Sequence, residues 1–273
     1  MALTPEHGGA PAPRSSATTW ILIVLFAIIL VVGFIIAIFV LSSSGEGGVS
    51  VVRMEGTLVT GKTSGEDFSA SEQVGKELRD AADDPMVEAI VLRVNSPGGT
   101  PAAAQEIIRD LDYAKSKKPV VVSMGDMATS AAYYVSAHAD KIYADPDTFT
   151  AGIGVMWTFP DISRWMNKEG YNVSIIKSGT KKDMGSSSRP LTEDEFSYAQ
   201  GIVDASFKEF ISDVLAQRQI ARADIEDGRV IRGADAVKIN IVDEIGNLND
   251  AIAGAKALAG RGSFRSSAAD LPS

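Results

Sequence analysis

The sequence predicts an α/β fold built from repeated β-α-β units and preceded by one N-terminal transmembrane helix. Short apolar runs alternate with longer amphipathic segments through the middle of the chain, and one uncharged stretch covers residues 20–41. Repeated β-α-β units imply a parallel sheet with right-handed crossovers. Because ligand sites on such sheets form at the carboxyl ends of strands, functional residues are expected directly after the strands.

The N-terminal part of the chain predicts a membrane anchor. Residues 1–19, rich in Pro, Gly, Ala and Ser, predict a disordered tail. Residues 20–41, at about 1.5 Å per residue, are long enough to cross a bilayer and too long for a cleaved signal peptide. Arg14 precedes this stretch and no Lys or Arg follows it before Arg53. The positive-inside rule therefore predicts a single-pass protein of the cell membrane with a cytoplasmic N-terminus and an extracytoplasmic domain.

A flexible Ser/Gly spacer at residues 42–48 is expected to join the anchor to one domain at 49–258, which a frayed C-terminal tail at 259–273 follows. The capping box of Thr192 and Glu195 predicts where the longest helix of the domain begins. The elements expected in the domain are, in order, strand 49–54, helix 71–82, strand 88–94, helix 101–115, strand 119–124, a tight turn at Gly125, helix 130–139, strand 141–144, helix 161–169, strand 171–177, loop 178–190, helix 192–219 and two short α/β elements at 228–237 and 241–258.

The composition excludes several classes of function. The formal net charge is -9 and no run of Lys and Arg occurs, which argues against a nucleic-acid partner. The chain has no cysteine, so disulfides, thiolate metal sites and cysteine nucleophiles are excluded. With only His138 in the domain and no His-Glu-x-x-His motif, a usual zinc site is excluded as well.

Two turns are candidates for the functional site. Ser130 stands at the start of the alanine-rich helix, where free backbone N–H groups and the helix dipole would stabilise an oxyanion. The second turn, Asn-Ser-Pro-Gly-Gly at 95–99, would open on the same edge of the sheet and offer further N–H groups or a peptide-docking edge. Both also have ordinary interpretations, because Ser is a common N-cap and Pro-Gly-Gly a common turn.

A nucleophilic serine needs a base. His138 lies eight residues after Ser130, or about 12 Å along one helix, which is too far for proton transfer; it is expected at a helix end or on the surface. Lysine can serve if burial or nearby positive charge lowers its pKa from about 10.4. Lys181 and Lys182 in the 178–190 loop are the candidates, although loop lysines are most often solvated.

Several motifs in the same order resemble the signal peptide peptidases of the SppA type, membrane-anchored Ser-Lys proteases with a fold related to ClpP and the crotonases. The resemblance covers about 49–258. It rests on residues 94–99, 123–130 with Tyr133 and Tyr134, 139–144, 182–186, 227–230 and 242–246.

The resemblance implies a serine endopeptidase with Ser130 as nucleophile and Lys182 as general base, while Lys181 stays open as a helper or as the base itself. Gly99 and Ala131 would donate the oxyanion-hole N–H groups, and Gly98 and Gly99 would bind substrate. It further implies peptide substrates such as cleaved signal peptides, no cofactor and no metal. The enzyme would be a ring-like homo-oligomer whose protomers share the dyad.

The sequence departs from the family pattern at two places. Ala131 and Ala132 follow the nucleophile where the family commonly has Gly-Gly, and Gly152 stands where the family often has a serine that orients the lysine. Thr150 and Ser178 are candidates to replace that serine. Two other functions stay open: a crotonase-like acyl-CoA hydratase or thioesterase, and a catalytically impaired scaffold of membrane complexes.

Overall fold

The computed structural model describes residues 17–43, 48–63, 65 and 67–269. The chain divides into two compact units, Met1–Gly47 and Gly48–Ser273. The first unit contains helix α1, Ala17–Ser43. In the described part of the chain, no helix combines the length and the apolar character that crossing a membrane requires. The transmembrane segment at 20–41 therefore stays a prediction, and the tail up to residue 16 and residues 44–47 of the spacer lie outside the described residues.

The second unit is built on a mainly parallel sheet, so the predicted α/β class is confirmed. Within the described residues, seven strands form this sheet, and five of them lie side by side along its main path. These strands are β1 (Gly48–Glu55), β4 (Val87–Ser96), β5 (Val120–Thr129), β6 (Lys141–Ala144) and β9 (Glu244–Ile245), all paired in parallel.

Three further strand pairs lie off the main path of the sheet. Strand β7 (Phe149–Ala151) pairs in parallel with the last residues of β5 and antiparallel with β8 (Val230–Arg232). Strands β2 (Thr57–Val59) and β3 (Phe68–Ala70) form a separate parallel pair. Strands β2, β3 and β7 were not predicted from the sequence, and each has only three residues.

Helices cover both faces of the sheet. The α-helices described in this unit are α2 (Ser71–Asp83), α3 (Pro101–Lys115), α4 (Ala131–Ala137), α5 (Ser163–Lys168), α6 (Glu193–Gln217), α7 (Gly233–Ala236) and α8 (Leu248–Ala269), of which α5 has no buried residue. On one face, Ile90 and Leu92 of β4 belong to the core that includes residues of α2, α3 and α4. On the other face, Val91 packs in a cluster with Ala251 and Ala255 of α8. Burial on both faces explains why β4 reads as a continuous apolar run.

Local signals set several helix boundaries. Thr192 accepts a hydrogen bond from the N–H of Glu195, whose carboxylate in turn accepts from the N–H of Thr192 at 3.0 Å, so the predicted capping box is confirmed. At the start of α3, the Thr100 side chain accepts from Ala103 N, and Pro101 occupies the first turn.

Two local predictions were wrong. The strand expected at 171–177 has no strand conformation, because its apolar residues are not buried against a sheet: Ile176 is 100% exposed and Ile175 41%. Gly125 does not end the preceding strand, since β5 continues to Thr129. Val94 pairs with Met124 and Ser96 with Ala128, so β5 carries extra residues at this point and absorbs Gly125 in a β-bulge.

Candidate active site

Ser130 lies in a strained turn between β5 and α4. Its backbone has φ 55° and ψ -125°, a conformation that is rarely adopted by residues other than glycine. The N–H of Ser130 donates to the carbonyl of Ala151 at 2.8 Å, and its carbonyl accepts from the N–H of Tyr134. Although Ser130 occupies the N-cap position, its side chain makes no capping hydrogen bond, so the N-cap interpretation was wrong. The hydroxyl is left for other chemistry.

The 97–99 turn packs directly against Ser130. Gly98 has φ +103°, and a Cβ atom there would lie 2.9 Å from the Cβ atom of Ser130. A Cβ atom on Gly99 would lie 2.1 Å from the carbonyl oxygen of Leu58 in β2. Both positions therefore need glycine, because any larger residue would push the turn away from the serine or from β2.

Side-chain hydrogen bonds fix the two turns to each other. The Thr129 hydroxyl donates to the carbonyl of Pro97 at 3.0 Å, and the Ser96 hydroxyl accepts from the N–H of Gly98 at 3.1 Å. The Asn95 side-chain oxygen accepts from the N–H of Met127 at 3.2 Å, beside the bulge in β5. The turn after β4 and the turn after β5 are therefore one braced unit, as their common place at the sheet edge predicts.

The structure leaves two N–H groups available beside Ser130. Within the described residues, the N–H groups of Gly99 and Ala131 donate to no other group. The methyl groups of Ala131 and Ala132 are buried in the core, so they replace the usual glycines while the Ala131 N–H stays free. Such a pair of N–H groups could stabilise a negative oxygen formed next to the serine hydroxyl.

A cavity of about 810 Å³ opens over Ser130. Tyr134 and Phe210 form an aromatic wall, with ring centroids 4.6 Å apart, and Phe207 lies on the same side. The other lining residues are Thr57, Pro97, Gly98, Gly99, Pro101, Gln105, Thr129, Ala131, Gly152, Ile153, Gly154, Val155, Met156, Gln200, Val203, Asp204, Ser206, Glu209, Glu226, Asp227, Gly228 and Val230. The cavity is large enough for several side chains of a peptide.

The structure does not bring the candidate lysines to Ser130 within one chain. Lys182 is exposed and Lys181 pairs with Asp194; neither lines the cavity. The hydroxyl of Thr150 is buried and donates to the carbonyl of Ala128 at 3.0 Å, while Ser178 is exposed in the loop.

An ion-pair network anchors the loop that carries Lys182. Arg189 donates two hydrogen bonds to Glu195, at 2.7 and 2.8 Å, and one to Asp183, which also pairs with Lys177. The hydrogen bonds from Arg189 lower the pKa of Glu195 to about 2, and the N–H of Thr192 makes a smaller contribution in the same direction. Arg189 and Lys177 hold the pKa of Asp183 well below its usual range. Residue 183 is therefore held to the start of α6, and Lys182 next to it is exposed.

His138 ends α4 as expected, but it is not on the surface. It is only 7% exposed, its Nδ1 lies 3.3 Å from Asp112, and its Nε2 has no partner among the described residues. It does not line the cavity, which agrees with the prediction that it is not the base.

The residues that α6 contributes to the cavity were not predicted from the sequence. Asp204, Phe207 and Glu209 lie in a helix whose pattern indicates only packing and solvation. A helical period does not tell which neighbour a face will meet, so no signal in the sequence alone could have placed these side chains near Ser130.

The fold and these contacts define an α/β protein with a serine-centred site at the carboxyl edge of a mainly parallel sheet. The chain belongs to peptidase family S49, whose profile matches residues 112–261. The expected resemblance to the SppA type is confirmed.

Three relatives illustrate this similarity. "Protease 4" of Haemophilus influenzae is 37% identical over 209 residues, which cover 75% of this chain and 34% of that protein. A protein of Enterococcus faecium with signal peptide peptidase SppA in its name is 34% identical, over 64% of this chain and 52% of its own length. "Serine protease SPPA, chloroplastic" of Arabidopsis thaliana is 30% identical, over 77% and 31%. The chain thus spans between about a third and just over half of these curated relatives.

Proposed function

We propose that this chain is a serine endopeptidase in which Ser130 is the nucleophile. The observation that carries the proposal is the strained backbone of Ser130, which leaves its hydroxyl uncapped in a cavity beside the Gly98-Gly99 turn. Strain of this kind, on the order of 1–3 kcal/mol, persists where the surroundings impose it and is frequent at active sites. Membership of family S49 and the protease names of its relatives support the same chemistry.

In the proposed mechanism, the Ser130 hydroxyl attacks the peptide carbonyl and the N–H groups of Gly99 and Ala131 bind the oxyanion. A neutral Lys182 accepts the hydroxyl proton and returns it to the leaving amine, and water then hydrolyses the acyl-enzyme. No cofactor takes part.

We further propose that Lys182 acts in the site of a neighbouring protomer within a ring-like homo-oligomer. Within the described residues Lys182 has no side-chain partner and does not line its own cavity, which supports an action in trans. The segment between β7 and α6 also exposes large apolar side chains, among them Met156 (89% exposed), Trp165 and Ile176. Exposed apolar surface of this kind is typical of protein interfaces.

The membrane location and the substrate class complete the proposal. The uncharged stretch at 20–41 supports a signal anchor that holds the domain outside the cytoplasm. Extended peptides such as cleaved signal peptides would then be the substrates, pairing with the sheet edge near Gly98 and Gly99 as an added strand. The name of the Enterococcus faecium relative supports this substrate class.

Labelling with a neutral fluorophosphonate tests the proposal on the full-length chain in detergent. We expect covalent labelling and peptide cleavage by the parent, and neither by Ser130→Ala. Lys182→Ala should abolish labelling at neutral pH, whereas Lys181→Ala should retain a measurable rate. Absence of labelling in the parent would contradict the proposal and favour the scaffold, and saturable coenzyme A binding would favour the crotonase-like enzyme.

A further inference from the structure

The charges that line the cavity are all of one sign. Four carboxylates, on Asp204, Glu209, Glu226 and Asp227, line it. Among the described residues that line the cavity there is no lysine, arginine or histidine. A cleft lined by one sign of charge with apolar walls concentrates counter-ions of the opposite sign.

Two of these carboxylates are already neutralised by neighbours. Glu226 accepts a hydrogen bond from Arg222 at 2.9 Å, and Asp227 pairs with Arg229. The pKa of Asp227 is accordingly lowered by Arg229. These two groups therefore contribute little to the net charge that a substrate would meet.

The other two carboxylates, both on α6, have no cationic partner in the described part of the chain. Asp204 accepts a hydrogen bond from Gln200 at 2.7 Å, and Glu209 accepts one from Gln105 at 3.1 Å. An amide orients a carboxylate without cancelling its charge. Because the two residues are five positions apart, they stand about 7.5 Å apart along the helix axis, so each could meet a separate group.

The wall next to these carboxylates is aromatic. Phe207 and Phe210 lie on the same helix as the acids, and Tyr134 contacts Phe210 and donates to Asp213 behind it. Lysine and arginine side chains combine an apolar stem with a charged end, so they can pack along aromatic rings and place the cation at a carboxylate. An acidic side chain would meet repulsion in the same place.

We propose that Asp204 and Glu209 make this cavity select peptides that carry a lysine or arginine side chain. The inference rests on the proposed peptidase function of the site, because it assigns the occupant of that cavity. It adds the chemical class of the substrate: a cationic peptide segment whose basic side chain lies along the Phe207 side of the cavity, in the combined electrostatic field of the two free carboxylates.

Equilibrium binding tests this selection without requiring turnover. Full-length Ser130→Ala in detergent would be titrated with fluorescein-labelled hexa-alanine peptides in which lysine, norleucine or glutamate replaces each central residue in turn. Norleucine matches the length of lysine without its charge. We expect the best lysine peptide to bind more tightly than its norleucine counterpart and the glutamate peptide most weakly.

Isosteric neutral variants, made in the same background, assign the selection to the two carboxylates. Each of Asp204→Asn and Glu209→Gln should reduce the lysine-to-norleucine ratio about two- to five-fold, the range expected for partly exposed ion pairs. Glu193→Gln is the matched control, since Glu193 is exposed on the same helix and does not line the cavity. Raising the salt to about 1 M should also reduce the ratio, because screening then acts over about 3 Å.

The outcomes separate this inference from the proposed function. Equal binding of the lysine and norleucine peptides at every position, or a ratio unchanged in both Asp204→Asn and Glu209→Gln, would overturn the selection even if the parent cleaves peptides. Conversely, a preference for lysine that both variants reduce would support it even if the parent proved unreactive towards fluorophosphonate.

Discussion

The hydroxyl of Thr129 donates a hydrogen bond of 3.0 Å to the carbonyl oxygen of Pro97. Thr129 is the residue before the proposed nucleophile, and Pro97 begins the turn that supplies Gly98 and Gly99. One partly buried contact therefore sets the distance between the serine and one of the two N–H groups proposed to bind the oxyanion.

Replacing Thr129 by the nearly isosteric valine should lower kcat about ten-fold or more and change KM little. The change removes only the hydroxyl, so the N–H of Gly99 loses its fixed position when the oxyanion forms. Steady-state kinetics on a peptide substrate measures the effect. Thr129→Ser keeps the donor and should restore most of the activity; if both variants lose kcat equally, the hydrogen bond does not position the turn.

Alanine at Gly98 should abolish labelling of Ser130 while the protein still folds. The added Cβ would lie 2.9 Å from both the Cβ of Ser130 and the carbonyl oxygen of Thr129, so the turn must move away from the serine. The rate of fluorophosphonate labelling and circular dichroism would be measured together. Gly201→Ala is the control, because a Cβ atom there meets nothing within 4 Å. Normal labelling of Gly98→Ala would contradict the packing described.

Glutamine at Arg189 should lower the melting temperature at neutral pH by several degrees, because two nearly buried carboxylates lose their shared cation. The pKa of Glu195 is lowered from 4.5 to about 2, so the stabilisation is complete above about pH 4.5 and is lost as the pH falls towards 2. Calorimetry of parent and variant between pH 7 and 2 should show the two melting temperatures converging.

Arg222→Gln provides the comparison for Arg189. Its ion pair with Glu226 is exposed, so its removal should change the melting temperature little. Parallel curves for the parent and Arg189→Gln across this pH range would mean that the buried network does not contribute to the pH dependence of stability.

Alanine at Thr192 should destabilise the protein by about 1 kcal/mol, the usual effect of losing an N-cap. The Thr192 hydroxyl accepts from the N–H of Glu195, and without it this N–H at the start of α6 has no side-chain acceptor. Denaturant unfolding followed by circular dichroism measures the change. Thr192→Ser should be close to the parent, and an unchanged midpoint for Thr192→Ala would show that the capping box adds no stability.

The sequence predicted those parts of the fold in which local pattern and burial agree. Helix α3 and strand β6 have the expected boundaries, since a proline start and an apolar run are local signals. The 171–177 segment has the same apolar character but no strand beside it, and only tertiary structure decides that. The bulge at Gly125 was missed for a similar reason, because it depends on pairing with β4 and on the Asn95 side chain.

For the site, the sequence predicted that the turns at 95–99 and at Ser130 would meet at one sheet edge, because parallel topology brings them there. It did not predict the strained backbone of Ser130, which depends on pairing between β5 and β7, nor the side chains that α6 contributes. The contact between Lys182 and Ser130 stays a prediction, since it concerns a second copy of the chain.

The bulge in β5 makes the length of that strand as important as its composition. Up to Ser123 the strand pairs with β6, and from Met127 it pairs with β7. The number of extra residues near Gly125 therefore determines to which face of the sheet each later side chain of β5 points. Because side chains alternate along a strand, losing a single residue there would turn Thr129 and its successors to the opposite face. Natural variation in this stretch should consequently consist of exchanges of one amino acid for another, with insertions and deletions confined to other parts of the chain.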